Sequence, residues 1–383
     1  MESPLSRSRS RRRSRSMLSG HKKIIYQPRA TEDKTPKYTL EPDGVTYQFN
    51  GSQLKLFDFV KDQKYFDSML PYAKSTGWFL PGHGSQKSDC GQIKAKVCNH
   101  VELHPEHKTL VRYYKRSCLE KSCPVCFEGW SSSESMRGLL RLASFVVSFG
   151  DVRHLQNKLI EKFHGKRSKD YYEALVDGLE SFFDDSKYKP VHWVVSPPVD
   201  SVFTKKSFSF LRKIAYKMAK KTGFRGGAVI FHPYRLKCSV CGHAIPDYKK
   251  TCECGCVEFE WMNGPHFHVL GFGWMHDSGN NYQETGWIVR NFGVRKSVYY
   301  TFQYLLSHAG VFVDPSREGK PVSFHTTTWF GSLSYNQLKH VPQLMSFKDY
   351  CPHCGAMLVF GDEDFVKRFP PPEGWGDMDF LVN

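Results

Sequence analysis

The sequence predicts an α+β fold: an antiparallel sheet with flanking helices on one face, with cysteine-rich modules before it and inserted within it. Three observations point there. Short runs rich in β-branched and aromatic residues, bounded by Gly or Pro, read as strands: VHWVVS (191–196), GGAVIFHPYR (226–235) and HFHVLGFG (266–273). Segments of helical spacing lie before, between and after them. The twelve cysteines gather in tight clusters outside these runs.

Residues 1–37 form a basic Arg/Ser tail. Its first sixteen residues hold six arginines and one glutamate. Mutual repulsion and the lack of apolar groups predict disorder. Such an arm suits non-specific phosphate contact. It is shorter than a splicing-type Arg-Ser domain, and no RNA-recognition module follows. Residues 38–130 form an N-terminal region. Its 45–80 stretch alternates apolar and charged residues without visible chemistry, and 90–126 is rich in Cys and His.

Residues 131–185 read as helical. SSSESMRGLLRLASFVVSF opens with serine cap candidates and sets Leu139, Leu140, Leu142, Phe145, Val146 and Phe149 on an apolar face. A second amphipathic stretch covers 170–183. Residues 186–345 carry the strands. VHWVVS stops at Pro197 and Pro198. A basic helix follows, FSFLRKIAYKMAKKTGF, closed by Gly223. The insert 238–256 separates the second strand from the third. WIVRNF (287–292) reads as a short strand, and SVYYTFQYLLSHAG (297–310) as a helix with Gly310 as its C-cap. Residues 346–383 hold a Cys knuckle and a tail.

The formal net charge is +16, of which +11 lies beyond the first sixteen residues. A body this basic points to a polyanion, nucleic acid first. No apolar run reaches the roughly 20 residues of a membrane span, and no apolar stretch follows the basic start as in a signal peptide. The expectation is an intracellular protein without a membrane partner. In a reducing compartment the cysteines are expected to hold metal, not to form disulfides.

Cys118, Cys123 and Cys126 stand in C-x4-C-P-V-C, a zinc-knuckle spacing that needs a fourth ligand. Cys98 is expected to supply it, with Cys90, His100, His104 and His107 as alternatives. The insert offers Cys238 and Cys241, then Cys252, Cys254 and Cys256: five cysteines for four places. Cys351 and Cys354 make half a site, completed by the insert or by other partners. These sites read as structural Zn²⁺ centres, because no open coordination position is implied.

Alternation along a strand points His266 and His268 the same way, while Phe267 and Val269 face a core. Two imidazoles on one strand make half of a divalent-metal site. Downstream, Tyr300, Tyr304 and His308 are spaced four apart on one helix face. The bland reading of that helix is a buried face of Tyr299, Phe302 and Leu305. A tyrosine nucleophile, a histidine pair and a basic body together suggest phosphodiester chemistry.

The order VHWVVSPP, PHFHVLGFG, YYTFQYLLSHAG resembles the HUH endonucleases: rolling-circle replication initiators, conjugative relaxases and single-strand transposases. It is most similar to initiators of archaeal plasmids and viruses, which also carry a cysteine cluster like RSCLEKSCPVCFEGW, a HPYR element and a YLLSHAG-type tyrosine helix. The resemblance covers about residues 90–345. It implies that His266 and His268 hold Mg²⁺ or Mn²⁺, and that Tyr304, or Tyr300 one turn earlier, cuts single-stranded DNA. A third ligand is implied, with His232, Glu258 and Glu260 as candidates. The family's lysine three residues after the tyrosine is replaced by Ser307 or Gln303, and His308 stands in for it.

The implied activity is a metal-dependent nickase and strand transferase that initiates rolling-circle replication at an origin. It leaves a 5′-phosphotyrosine and a 3′-hydroxyl primer for a host polymerase. No P-loop motif is present, so unwinding falls to a host helicase or to supercoiling. Transposase or relaxase activity shares this chemistry. The rival from another class is a non-catalytic, zinc-dependent DNA-binding regulator.

Overall fold

The computed structural model describes residues 46–49, 52–55, 63–84, 86, 88–163, 169–184, 186–198, 205–245, 251–276, 278–313, 325–344, 350–362, 364–373 and 379–382. The chain divides into two units, 1–38 and 39–383, and all described residues lie in the second. The basic tail expected over 1–37 lies outside the described residues.

Along the chain come β1 (Thr46–Phe49), β2 (Ser52–Lys55), α1 (Gln63–Thr76), β3 (Trp78–Phe79), β4 (Ile93–Val97) and β5 (Thr109–Lys115). Three helices follow: α2 (Phe127–Val146), α3 (Phe149–Lys162) and α4 (Lys169–Ser181). Then come β6 (Val191–Ser196), α5 (Lys205–Lys221), β7 (Phe224–Cys238), β8 (Ala244–Ile245) and β9 (Phe259–Gly273). The chain continues through α6 (Ser278–Thr285), β10 (Ile288–Val294), α7 (Val298–Ser307), β11 (Val311–Phe312) and β12 (Thr327–Gly331). It closes with β13 (Val359–Phe360), α8 (Phe365–Arg368) and β14 (Asp379–Val382). The fold is α+β with antiparallel sheets. No helix among the described residues is long and apolar enough to cross a membrane.

The main sheet runs β10-β6-β9-β7-β12, every pairing antiparallel, with β8 on β7. β9, the strand of His266 and His268, is central. The helices, however, cover both faces, not one. Phe267, Val269, Val229 and Phe231 meet α5 through Phe208, Leu211 and Ala215 and α1 through Met69 and Ala73. Ala228, Ile230, Leu270 and Phe272 meet α2, α4 and α7. VHWVVS shows why: five of its six residues are buried, and a near-continuous apolar run has no face left for water.

Two helix ends differ from expectation. The helix expected from Ser131 begins at Phe127, so Ser131 and Ser135 lie inside it and donate back to the carbonyls of Glu128 and Ser131. Helix α7 ends on His308, not Gly310, because the Gly310 amide donates to the Phe231 carbonyl of β7. That bond ties the end of α7 to the sheet.

A second sheet, β13-β4-β5-β14, carries the N-terminal cysteines and brings the C-terminal segment beside them. The stretch before it has a structural role: Trp78 is buried against Phe208, Phe231 and Phe312, and its carbonyl accepts from the Tyr234 hydroxyl.

Candidate active site and metal centres

Strand register assembles the first site. β9 runs antiparallel to β7 with His266 opposite His232, and to β6 with His268 opposite Val194. The ligating nitrogens of His232, His266 and His268 lie within 4.8 Å of one another, and all three side chains are buried. His232 therefore completes the group. Glu260 instead pairs with Lys237 at 2.8 Å, and Glu258 is exposed.

Each imidazole is anchored by one nitrogen. His232 donates from Nε2 to the Leu305 carbonyl at 2.7 Å, and His266 from Nδ1 to the Gly264 carbonyl at 2.8 Å. Carbonyls only accept, so His232 Nδ1 and His266 Nε2 keep their lone pairs. His268 Nδ1 meets His192 Nε2 at 2.7 Å, and Arg295 donates to His192 Nδ1 at 2.7 Å. The His268 Nε2 atom is buried without a hydrogen-bond partner. Outer nitrogens held by the protein, with the inner nitrogens of His232 and His266 left bare, suit a metal-ligating histidine set. Because a guanidinium only donates, His192 turns its own proton toward His268. The remaining proton of neutral His268 then sits on Nε2 and must shift if that atom ligates.

Burial holds all four imidazoles well below their ordinary range, reinforced by Arg295 at His192 and by Arg235 at His266. They are neutral, the form that binds metal. Three neutral nitrogens leave coordination positions open, as in catalytic and not structural sites. The donor set also suits Mn²⁺ and softer ions better than Mg²⁺, which takes oxygen ligands.

Helix α7 lies against this group. The His232 bond to Leu305 fixes its last turn, and the His308 ring sits 6.0 Å from that of His232 and 5.6 Å from that of Trp261. The Tyr304 ring packs edge-on to His308 at 5.2 Å. Tyr300 is placed differently. Its ring meets Tyr299, and its neighbours include Glu173, Asp177 and Glu180 of α4. Burial, with those charges, raises its phenol's pKa. The two tyrosines thus part ways: Tyr304 packs on His308, and Tyr300 lies beside an acidic helix. Of the buried face that the bland reading gave the helix, Phe302 and Leu305 are buried and Tyr299 is half-buried.

Twelve free cysteines are present, and eleven fall into three four-donor groups. The first is Cys90, Cys118, Cys123 and Cys126; the second Cys98, His104, Cys351 and Cys354; the third Cys238, Cys241, Cys252 and Cys254. Cys98, expected beside Cys118, belongs instead with Cys351 and Cys354, and Cys90 takes the place expected of it. The β4–β5 hairpin explains the exchange. Cys90 and Cys118 flank its open end, where the Gly91 amide donates to the Arg116 carbonyl. Cys98 follows β4 at the closed end, where Val97 pairs with Val359 of β13 just after the CPHC loop. Five strand residues at about 3.3 Å each keep the two ends apart. In the insert, Cys256 is the surplus thiol.

The donor geometry of these groups fits zinc. Sulfur separations of 3.4 Å (Cys98–Cys354), 3.6 Å (Cys238–Cys254) and 3.4 Å (Cys241–Cys252) are far beyond a disulfide's roughly 2.05 Å. They approach the tetrahedral edge of about 3.8 Å that Zn–S bonds of about 2.3 Å give. Backbone amides draw the Cys238 thiol down to about 6, through Cys241, and the Cys354 thiol to about 6, through Ala356, toward the metal-binding thiolate. His104 meets Cys351 through Nε2 at 3.2 Å while Nδ1 is held by the Lys108 carbonyl. These clusters can hold zinc structurally.

Sequence reasoning missed His192 and Arg295 and ranked His104 below Cys98. VHWVVS carried a signal for His192, a polar residue inside a strand buried on both faces. No family model, no curated protein and no solved structure matches the chain.

Proposed function

We propose that the chain is a metal-dependent nickase and strand transferase of single-stranded DNA, of the HUH endonuclease kind, that initiates rolling-circle replication. The observation that carries the reading is the ring sequence Tyr304, His308, His232, which links a candidate nucleophile to three buried, neutral imidazoles on one sheet face. The net charge of +16 supports a nucleic-acid substrate.

In this reading His232, His266 and His268 hold Mn²⁺, or Mg²⁺ less readily. A divalent ion held there would supply charge to polarise the scissile phosphate in the transition state. The Tyr304 oxygen bonds to phosphorus and gives up its proton, and the 3′-oxygen leaves as a hydroxyl. The covalent 5′-phosphotyrosine keeps the bond's energy, so a later 3′-hydroxyl can reverse the step without ATP. His308, packed on the Tyr304 ring, positions the phenol. Tyr304 is 7% exposed, so binding of the strand must open the side chains around it. The three cysteine groups carry structural zinc.

The test is incubation of the protein with origin-like single-stranded DNA and Mn²⁺, followed by a denaturing gel. A metal-dependent protein–DNA adduct, lost in His266→Ala and His268→Ala, supports the nickase. Retained DNA binding without cleavage under any divalent metal favours the regulator.

A further inference from the structure

The sheet face that carries the three histidines also borders a cleft of about 980 Å³. Its walls are the loop after Cys118, α2 from Trp130 to Arg141, residues 325–329 at the start of β12 and the segment 335–344. Thr327 in its wall pairs with Ile230, two residues along β7 from His232. The nicking centre and the cleft are therefore neighbours along one sheet.

Among small polar and aliphatic residues, two kinds of side chain in the walls could engage a ligand. Lys121, Arg137 and Lys339 bring positive charge, against Glu120 and Glu134, of which Glu134 is ion-paired with Arg137. Trp130, Trp329 and Tyr335 bring aromatic surface. The aromatic wall is fixed. Arg141 is buried, donates to the carbonyls of Leu333 (2.7 Å) and Leu338 (2.9 Å), and lies 4.5 Å over the Tyr335 ring and 5.3 Å over that of Trp329. Lys121 donates to Thr326 Oγ1 at 2.9 Å, and desolvation draws its ammonium down to about 8. Glu134 offsets part of that cost, and a phosphate beside the ammonium would offset more.

We propose that this cleft binds single-stranded nucleic acid, with bases on Trp130, Trp329 and Tyr335 and phosphates on Lys121, Arg137 and Lys339. Aromatic platforms in a basic groove are the general means of holding an unpaired strand. A duplex keeps its base faces stacked inside and offers such walls nothing. The role that follows rests on the nickase reading: the groove holds the strand beside the scissile phosphate. The binding itself does not depend on that reading.

The test uses the full-length protein, a labelled oligothymidylate and fluorescence anisotropy, without added divalent ion. Tyr335 and Lys339 are exposed, so changing them leaves the core intact; thermal unfolding and zinc content check each variant. Tyr335→Ala is expected to weaken binding at least fivefold, the lower end of one stacked base. Lys121→Gln with Lys339→Gln is expected to lower the slope of log affinity against log salt by about 1.4, at about 0.7 per phosphate. Unchanged affinity and slope in both cleft variants overturn the proposal, as does better competition by duplex DNA or a mononucleotide. If wild type forms no adduct while the cleft variants still lose affinity, the nickase reading falls and the groove stands. If adducts form but the cleft variants bind normally, the groove falls alone.

Discussion

His192 Nε2 lies 2.7 Å from His268 Nδ1, and Arg295 holds the other nitrogen of His192 at the same distance. The line Arg295, His192, His268 orients one imidazole of the buried trio from behind. Outer-shell partners of this kind typically affect metal affinity by about 10–100-fold. His192→Phe keeps the ring's bulk but removes the bond. Calorimetric titration with Mn²⁺ should show affinity at least tenfold weaker, with zinc content unchanged. Unchanged Mn²⁺ affinity would mean that His192 is packing only.

Four imidazoles held below the ordinary value of 6.5 give the protein a pH signature. Below that value the unfolded chain binds protons that the folded chain refuses, so acid favours unfolding. The contribution is fully present above about pH 6.5 and is lost as pH falls toward the depressed folded values. Thermal melts of the metal-free protein should show stability falling from about pH 6.5 downward. Replacing His192 and His268 together by Phe should flatten that slope. A slope confined to the carboxylate range would contradict the buried, neutral trio.

The three cysteine groups predict a zinc stoichiometry that is selective by residue. Cys90→Ser and Cys98→Ser should each remove one of three zinc ions, from different sites. Cys98→Ser should also expose the C-terminal segment after β12 to proteolysis, because its knuckle loses an anchor. Cys256→Ser should retain three. Elemental analysis of the purified variants decides; zinc loss in Cys256→Ser would mean that the insert uses a different ligand set.

The seat of α7 depends on Gly138 of α2. A Cβ there would come within 2.5 Å of the Phe302 ring, two residues from Tyr304. Overpacking of this kind costs about 1–3 kcal/mol. Gly138→Ala should lower the melting temperature and slow adduct formation, with zinc content intact. Equal activity and stability would show that α7 shifts freely.

Local signals made much of this legible. VHWVVS, the histidine strand and the tyrosine helix matched their elements because period, breakers and length agree within each segment. Gly223, at φ +108, ended its helix where its residue type suggested. What stayed hidden is long-range. Cys98 and Cys90 are equivalent by spacing, and only the β4–β5 hairpin sends them to opposite ends. Tyr300 and Tyr304 share a helix face by periodicity, yet one lies beside α4 and the other packs on His308. Helices on both faces were implicit in the unbroken apolar runs, which an expectation of alternation overlooked.

The central claim is that Tyr304, packed on His308, is the group that takes the phosphate. The most direct measurement is mass spectrometry of the peptide carrying the nucleotide after Mn²⁺-dependent cleavage. The account predicts the adduct on Tyr304, absent in Tyr304→Phe and retained in Tyr300→Phe. An adduct mapped to Tyr300, or retained in Tyr304→Phe, would contradict it.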